Sequence, residues 1–140
     1  MNNYLRVQKG MTLIEIMIVV VIVGILVAVA YPSYQNHVLR SHRAAATGCL
    51  LELSQFMERH YTENMRYNSA TFALPALQCM TEASGRYNYN SVQAQRTYTI
   101  TATATGAQTK DTSCLTLGIN QAGTKLVNGG SDVTAVRNCW

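Results

Sequence analysis

Residues 9–32 read K-G-M-T-L-I-E-I-M-I-V-V-V-I-V-G-I-L-V-A-V-A-Y-P, and this stretch decides how the rest of the chain is interpreted. From Met11 to Ala30 it is almost unbroken hydrocarbon, long enough to cross a bilayer core as a helix. One carboxylate, Glu15, interrupts it near the start. An ionisable side chain costs on the order of 3 kcal/mol at a membrane midplane and less near the interface, so Glu15 is a candidate functional group with a partner to be found.

Three readings compete for the stretch. A plain membrane anchor would let Glu15 snorkel to the surface. A secretory signal would use Arg6 and Lys9 as its basic region and Ala28-Val29-Ala30 as its cleavage site, with Glu15 breaking its apolar core. The third rests on a resemblance. A short basic leader ending in Lys9-Gly10, followed by Met11-Thr12-Leu13-Ile14-Glu15 and a long apolar helix, resembles the type IV prepilin signature. The family's usual residue after the cut is Phe, and Met11 departs from it.

That resemblance implies cleavage by a membrane peptidase after Gly10, N-methylation of Met11, and use of Glu15 in assembly. Gly24 and Pro32 fall where the pilin helix is commonly loosened or kinked. The physics of Glu15 fits such a role. The new cationic amine of an incoming chain can approach the carboxylate of a chain already packed. Two unit charges ~4 Å apart attract by roughly 4 kcal/mol at an effective dielectric near 20, and each relieves the desolvation of the other.

Outside this segment the chain is unremarkable in bulk. Its 140 residues suffice for one domain of ordinary size. Net charge is +4; removing Arg6 and Lys9 with the leader leaves nine basic and seven acidic side chains, a balance of +2. That is too small to argue for nucleic acid by itself. Charge also leaves orientation nearly tied, because Arg40 and Arg43 follow the apolar run as Arg6 and Lys9 precede it.

Four cysteines, Cys49, Cys79, Cys114 and Cys139, form an even set without C-x-x-C or metal-ligand spacing. They read as two disulfides, with three pairings open. The pilin resemblance implies Cys114–Cys139, closing the C-terminal loop called the D-region (residues 114–139), and leaves Cys49–Cys79 to tie the helix to the following loop.

Beyond Pro32 the helical pattern continues. Ala46, Cys49, Leu50, Leu53, Phe56, Met57 and Tyr61 recur at three- and four-residue spacings as one apolar face, with Arg43, Glu52, Glu58, Arg59 and Glu63 largely off it. One helix of about 52 residues, ~78 Å if continuous, is predicted. Residues 64–85 read as a long loop with room for one short helical turn. The period then becomes two: Tyr87 and Tyr89 alternate with Asn88 and Asn90, and Thr97–Thr105 places Tyr98, Ile100, Ala102 and Ala104 on one side and threonines on the other, toward water. Leu115, Leu117 and Ile119 form a third strand face, residues 120–123 a hairpin turn, and Thr124–Val127 a fourth strand. The tail from Asn128 to Trp140 is Gly- and polar-rich, with Trp140 either plugging a seam or standing exposed.

The expected fold class is therefore α+β, one long helix packed on a roughly four-stranded antiparallel sheet, which resembles the type IV pilin fold. The expected division is a leader at 1–10, a hydrophobic helix at 11–38 and a globular head at 39–140. The motifs T-Y-T-I-T-A-T, L-x-I-N-Q-A-G and the final C-W are most similar to minor pilins of the PilE type.

His37, His42 and His60 lack the i, i+4 spacing of a two-histidine metal site and read as surface or packing residues. Arg40 and Arg43 read as headgroup contacts, contacts to acidic neighbours in a fibre, or a solvated face. Tyr61, Tyr67, Tyr87, Tyr89 and Tyr98 read as core and sheet-packing residues. No nucleophile elbow, phosphate loop or paired carboxylates appear, so neither an enzyme nor a cofactor is expected. The resemblance implies other pilins, a prepilin peptidase, a membrane platform protein and an assembly ATPase as partners. It also implies insertion in the inner membrane with the head in the periplasm, then an extracellular pilus for motility, adhesion or DNA uptake. A major pilin and a secretion-system pseudopilin are the same-class alternatives. A DNA-binding competence pilin is the alternative of another class, resting on Arg86, Arg96, Lys110, Lys125 and Arg137, which form no stripe in the sequence.

Overall fold

A computed structural model describes residues 10–69 and 72–140; the expected leader, up to residue 9, lies outside them. The chain divides into two units, one reaching to His37 and one spanning Val38–Trp140. Helix α1, Leu13–Asn64, is 52 residues long and runs through Pro32. It starts where Thr12 Oγ1 accepts the amide of Glu15 at 3.3 Å, the first half of a T-x-x-E capping box. It stops where Met65 turns left-handed at φ 55°.

In the second unit the predicted apolar face of α1 is buried at Ala46, Cys49, Leu50, Leu53 and Met57. Phe56 and Tyr61 are half-buried at its margin, where Phe56 meets Phe72 and Tyr61 stacks on Tyr67. The loop that follows holds one short helix, α2, Gln78–Glu82. The sheet is an antiparallel meander of β1 (Tyr87–Gln93), β2 (Tyr98–Ala104), β3 (Thr116–Asn120) and β4 (Lys125–Val127), in that order. In β2 the alternation behaves as expected: Tyr98, Ile100, Ala102 and Ala104 are buried. The opposing threonines are only partly wet, since Thr99 and Thr101 are half-buried and Thr103 is exposed.

Register pairs Ile100 with Ile119 and Ala102 with Leu117, so the two strands deliver their apolar residues to the same layer. That layer joins the buried helix residues in one core, to which burial of each large side chain contributes about 1.5–3 kcal/mol. Gly118 is the close-approach position: a Cβ there would lie 3.1 Å from the Ile100 carbonyl and 3.4 Å from Leu126 Cβ. Asn128-Gly129 turns β4 back with both residues at positive φ, and the Asn128 side chain stitches the turn to Thr116 and Ser113.

At the outer edge, the Ser91 amide of β1 is taken by the Asn90 side-chain carbonyl at 2.9 Å, and the Tyr87 amide by the Ala83 carbonyl.

One expectation fails. Leu115 is not part of the third strand; it follows a 3-10 turn at Thr112–Cys114 and is 36% exposed. The Gly- and polar-rich tail holds an element that the sequence reading did not anticipate. It carries helix α3, Val133–Cys139, whose N-cap Asp132 accepts from the Ala135 amide at 2.9 Å. The two disulfides are Cys49–Cys79, joining α1 to α2, and Cys114–Cys139, closing the C-terminal loop; their Cα–Cα distances are 5.5 and 5.7 Å.

Candidate functional site

In the first unit the candidate residues are those at the start of α1. Gly10 and Met11 precede the helix, and Glu15 lies in its first turn, where a negative charge meets the positive end of the helix dipole. From Met11 to Tyr31 every large apolar side chain is exposed, from 45% at Ile16 to 78% at Leu13. A surface of that extent is unstable in water and requires lipid or other chains against it. Around Gly24 nothing lies within 4 Å of where a Cβ would stand.

In the second unit the structure assembles charge that lay scattered in sequence. Arg43 is nearly buried, and its Nη1 donates to both carboxylate oxygens of Asp111, at 3.1 and 2.9 Å, and stands 2.7 Å from Cys114 Sγ. It is thus a structural cation, although its spacing placed it off the apolar face. Nearby, Gln108 is fully buried and its Nε2 donates to the Leu39 carbonyl at 3.0 Å.

Trp140 is half-buried, donates its indole N–H to the Leu126 carbonyl at 3.2 Å, and has Lys125 Nζ 5.0 Å from its ring centre. That contact decides between the two expectations for this residue in favour of the seam. Lys125 and Arg137 line an open cavity of about 470 Å³ with Thr124, Ser131, Val133 and Val136. Arg137 also lines a second cavity, of about 230 Å³, with Arg40 and Arg43. Of the five cations singled out as a DNA-binding alternative, two therefore lie together. Arg86 belongs elsewhere, lining a cavity with His42, Glu52 and Glu82 over the Cys49–Cys79 bridge.

The tyrosines have packing roles. Tyr67, Tyr87 and Tyr98 are buried, and Tyr61 and Tyr89 half-buried. Desolvation, and then a hydrogen bond from its hydroxyl to the Glu58 carboxylate, pushes the Tyr67 phenol up to about 12. Burial does the same to Tyr89, also to about 12, and raises Tyr87 and Tyr98 as well.

Among known proteins, the model for "Type IV minor pilin ComP, DNA uptake sequence receptor" matches residues 32–118. The prokaryotic N-terminal methylation motif matches residues 5–31. Fimbrial protein EcpC of Eikenella corrodens is 58% identical over 41 residues, which are 29% of this chain and 27% of that protein. Type IV major fimbrial protein FimA of Dichelobacter nodosus is 50% identical over 56 residues, covering 32% of this chain and 36% of its own length. A fimbrial protein of Pseudomonas aeruginosa is 35% identical over 75 residues, 46% of this chain and 49% of the relative. The chain thus matches half or less of the length of each of these relatives. In fold it is similar to a type IV pilin from Shewanella oneidensis, with a TM-score of 0.51 at 22% identity, over 67% of this chain and 97% of the other. With the methylation motif on its apolar helix and the pilin model spanning most of the remainder, the chain belongs to the type IV pilin family.

Proposed function

We propose that this chain is a pilus subunit cleaved after Gly10, N-methylated at Met11, and packed into a fibre through the apolar surface of α1. The observation that carries the reading is that surface itself, exposed along its whole length in the single chain and broken by one carboxylate in the first turn. Before assembly it is held in the inner membrane with the Val38–Trp140 unit in the periplasm. Its partners are other pilins, a prepilin peptidase, a platform protein and an assembly ATPase.

Mass spectrometry of the mature amino terminus tests the processing: a methylated Met11 is expected, and a start at Tyr31 refutes it. Glu15→Val is expected to leave insertion and cleavage intact and to abolish incorporation, given the roughly 4 kcal/mol attraction lost. Glu15→Gln separates charge from capping, since it keeps the hydrogen-bonding side chain at the third helical position. Incorporation of Glu15→Gln at the normal level refutes the charge pairing.

A second reading, favoured by the description of the matching family model and by the Lys125–Arg137 cavity beside Trp140, is a minor subunit that captures DNA. Cations would neutralise phosphates while the indole offers a stacking face. Gel-shift assays of the solubilised full chain with duplex DNA are expected to show binding that falls steeply with salt and is weakened by Lys125→Gln. Absence of binding at low salt eliminates this reading.

A further inference from the structure

The cavity shared by α1 and α3 collects three guanidinium-bearing side chains, Arg40, Arg43 and Arg137, together with Asn138, Cys139 and Trp140. Arg43 is satisfied by Asp111. Arg40 and Arg137 are exposed, and among the described residues neither has an ion-pair partner. Two guanidinium groups lining one cavity raise the positive potential there, which an anion bound between them would lower. Arginine binds phosphate through parallel N–H donors, so phosphate is the anion this pair of side chains suits.

Sequence position selects the source of that phosphate. Arg40 follows, in the same helix, the apolar run that ends at Ala30 and the exposed aromatics Tyr31 and Tyr34, residues of the kind that mark a membrane–water interface. Arg40 stands six positions after Tyr34 in the sequence, and a long arginine stem can reach toward headgroups. At about 230 Å³ the cavity suits one headgroup rather than a run of phosphates.

We propose that the Arg40–Arg137 cavity is a binding site for the phosphate of an anionic phospholipid headgroup, occupied while α1 is inserted in a bilayer. The site holds the α3 corner at the membrane surface until the subunit is extracted. The inference requires only that the apolar run is inserted in lipid, not that the chain polymerises.

Trp140, the chain's single tryptophan, lines the cavity and reports on it directly. The full chain is reconstituted in nanodiscs of phosphatidylcholine, with and without phosphatidylglycerol, each carrying a trace of lipid nitroxide-labelled at its headgroup. Stronger quenching of Trp140 is expected with phosphatidylglycerol. Each arginine near an anionic surface is worth roughly a fivefold gain in affinity, so Arg40→Gln with Arg137→Gln should raise the half-effective phosphatidylglycerol fraction by about tenfold or more. Arg40→Lys with Arg137→Lys should retain most of the response. Arg66→Gln with Arg96→Gln, exposed cations away from the cavity, should leave it unchanged.

Equal quenching in the two lipids, or equal loss in both glutamine pairs, overturns the proposal. So does a Trp140 response to inorganic phosphate in phosphatidylcholine nanodiscs with no further response to phosphatidylglycerol, which would make free phosphate the ligand. A shift of Trp140 emission by duplex DNA without any lipid response overturns it in favour of nucleic acid. Intact disulfides and an unchanged near-ultraviolet circular dichroism spectrum confirm that each variant is folded.

Discussion

Removing the Asp111 carboxylate tests the energetics of the head most sharply. Arg43 and Asp111 are each nearly buried, at 13% and 12% side-chain exposure, and join positions 68 residues apart. Asp111→Ala leaves the guanidinium in place with only Cys114 Sγ for company. Stranding a fully buried charge costs 3–5 kcal/mol; with this residual access to water, about 2–3 kcal/mol is expected. Arg43→Met with Asp111→Ala removes both charges and fills the space with hydrocarbon, so most of that loss should return. The assay is urea unfolding of the full chain in mild detergent, followed by Trp140 fluorescence. If the double variant loses as much as the two single variants summed, the groups are not coupled and the reasoning fails. A cost below about 0.5 kcal/mol for Asp111→Ala refutes it equally, because that is the range of ordinary surface substitutions.

Further predictions concern other parts of the head. The raised Tyr67 pKa means that the fold favours the neutral phenol. Its contribution is whole below the unfolded value of 10.0 and is lost as pH rises from there toward 12. The loss is on the order of 2 kcal/mol, and Tyr67→Phe should make stability fall less steeply there, the raised Tyr87, Tyr89 and Tyr98 phenols keeping the rest of the slope. Replacing Cys114 and Cys139 by Ala opens a bridge spanning a sequence separation of 25 and should cost about 3.5 kcal/mol in denaturant titration. A loss below about 1 kcal/mol would show the unfolded chain to be restrained in other ways. Asn128→Ala forfeits two side-chain hydrogen bonds and a tolerated left-handed backbone, about 2 kcal/mol together, whereas Asn128→Gly should recover the backbone share.

What the sequence disclosed depended on the range of the interaction. The helix and β2 were legible because hydrophobic spacing is a local signal, and Leu53 and Ile100 fall where period alone places them. Helix α3 was also written locally, in Asp132 as a cap and in Val133, Val136 and Cys139 at three-residue steps, but the glycines before it masked the pattern. Leu115 misled because its alternation with Leu117 runs past the true strand start into a 3-10 turn. The Arg43–Asp111 pair, and the cavity that Arg40 and Arg137 both line, bring in residues far apart in the chain, and no period encodes such encounters. The start of α1 was the reverse case: Gly10, Met11 and Glu15 are adjacent in sequence, so the candidate site there was visible at once.

The capped margin of β1 has a consequence for crowding. Subunits of this family are brought side by side in great number, a condition under which bare strand margins zip together into cross-β stacks. By turning the Asn90 amide group back onto the Ser91 N–H, the chain spends a donor internally that a stranger's carbonyl would otherwise claim. One edge donor of β1 is thereby withheld from a foreign strand, which disfavours strand-on-strand stacking.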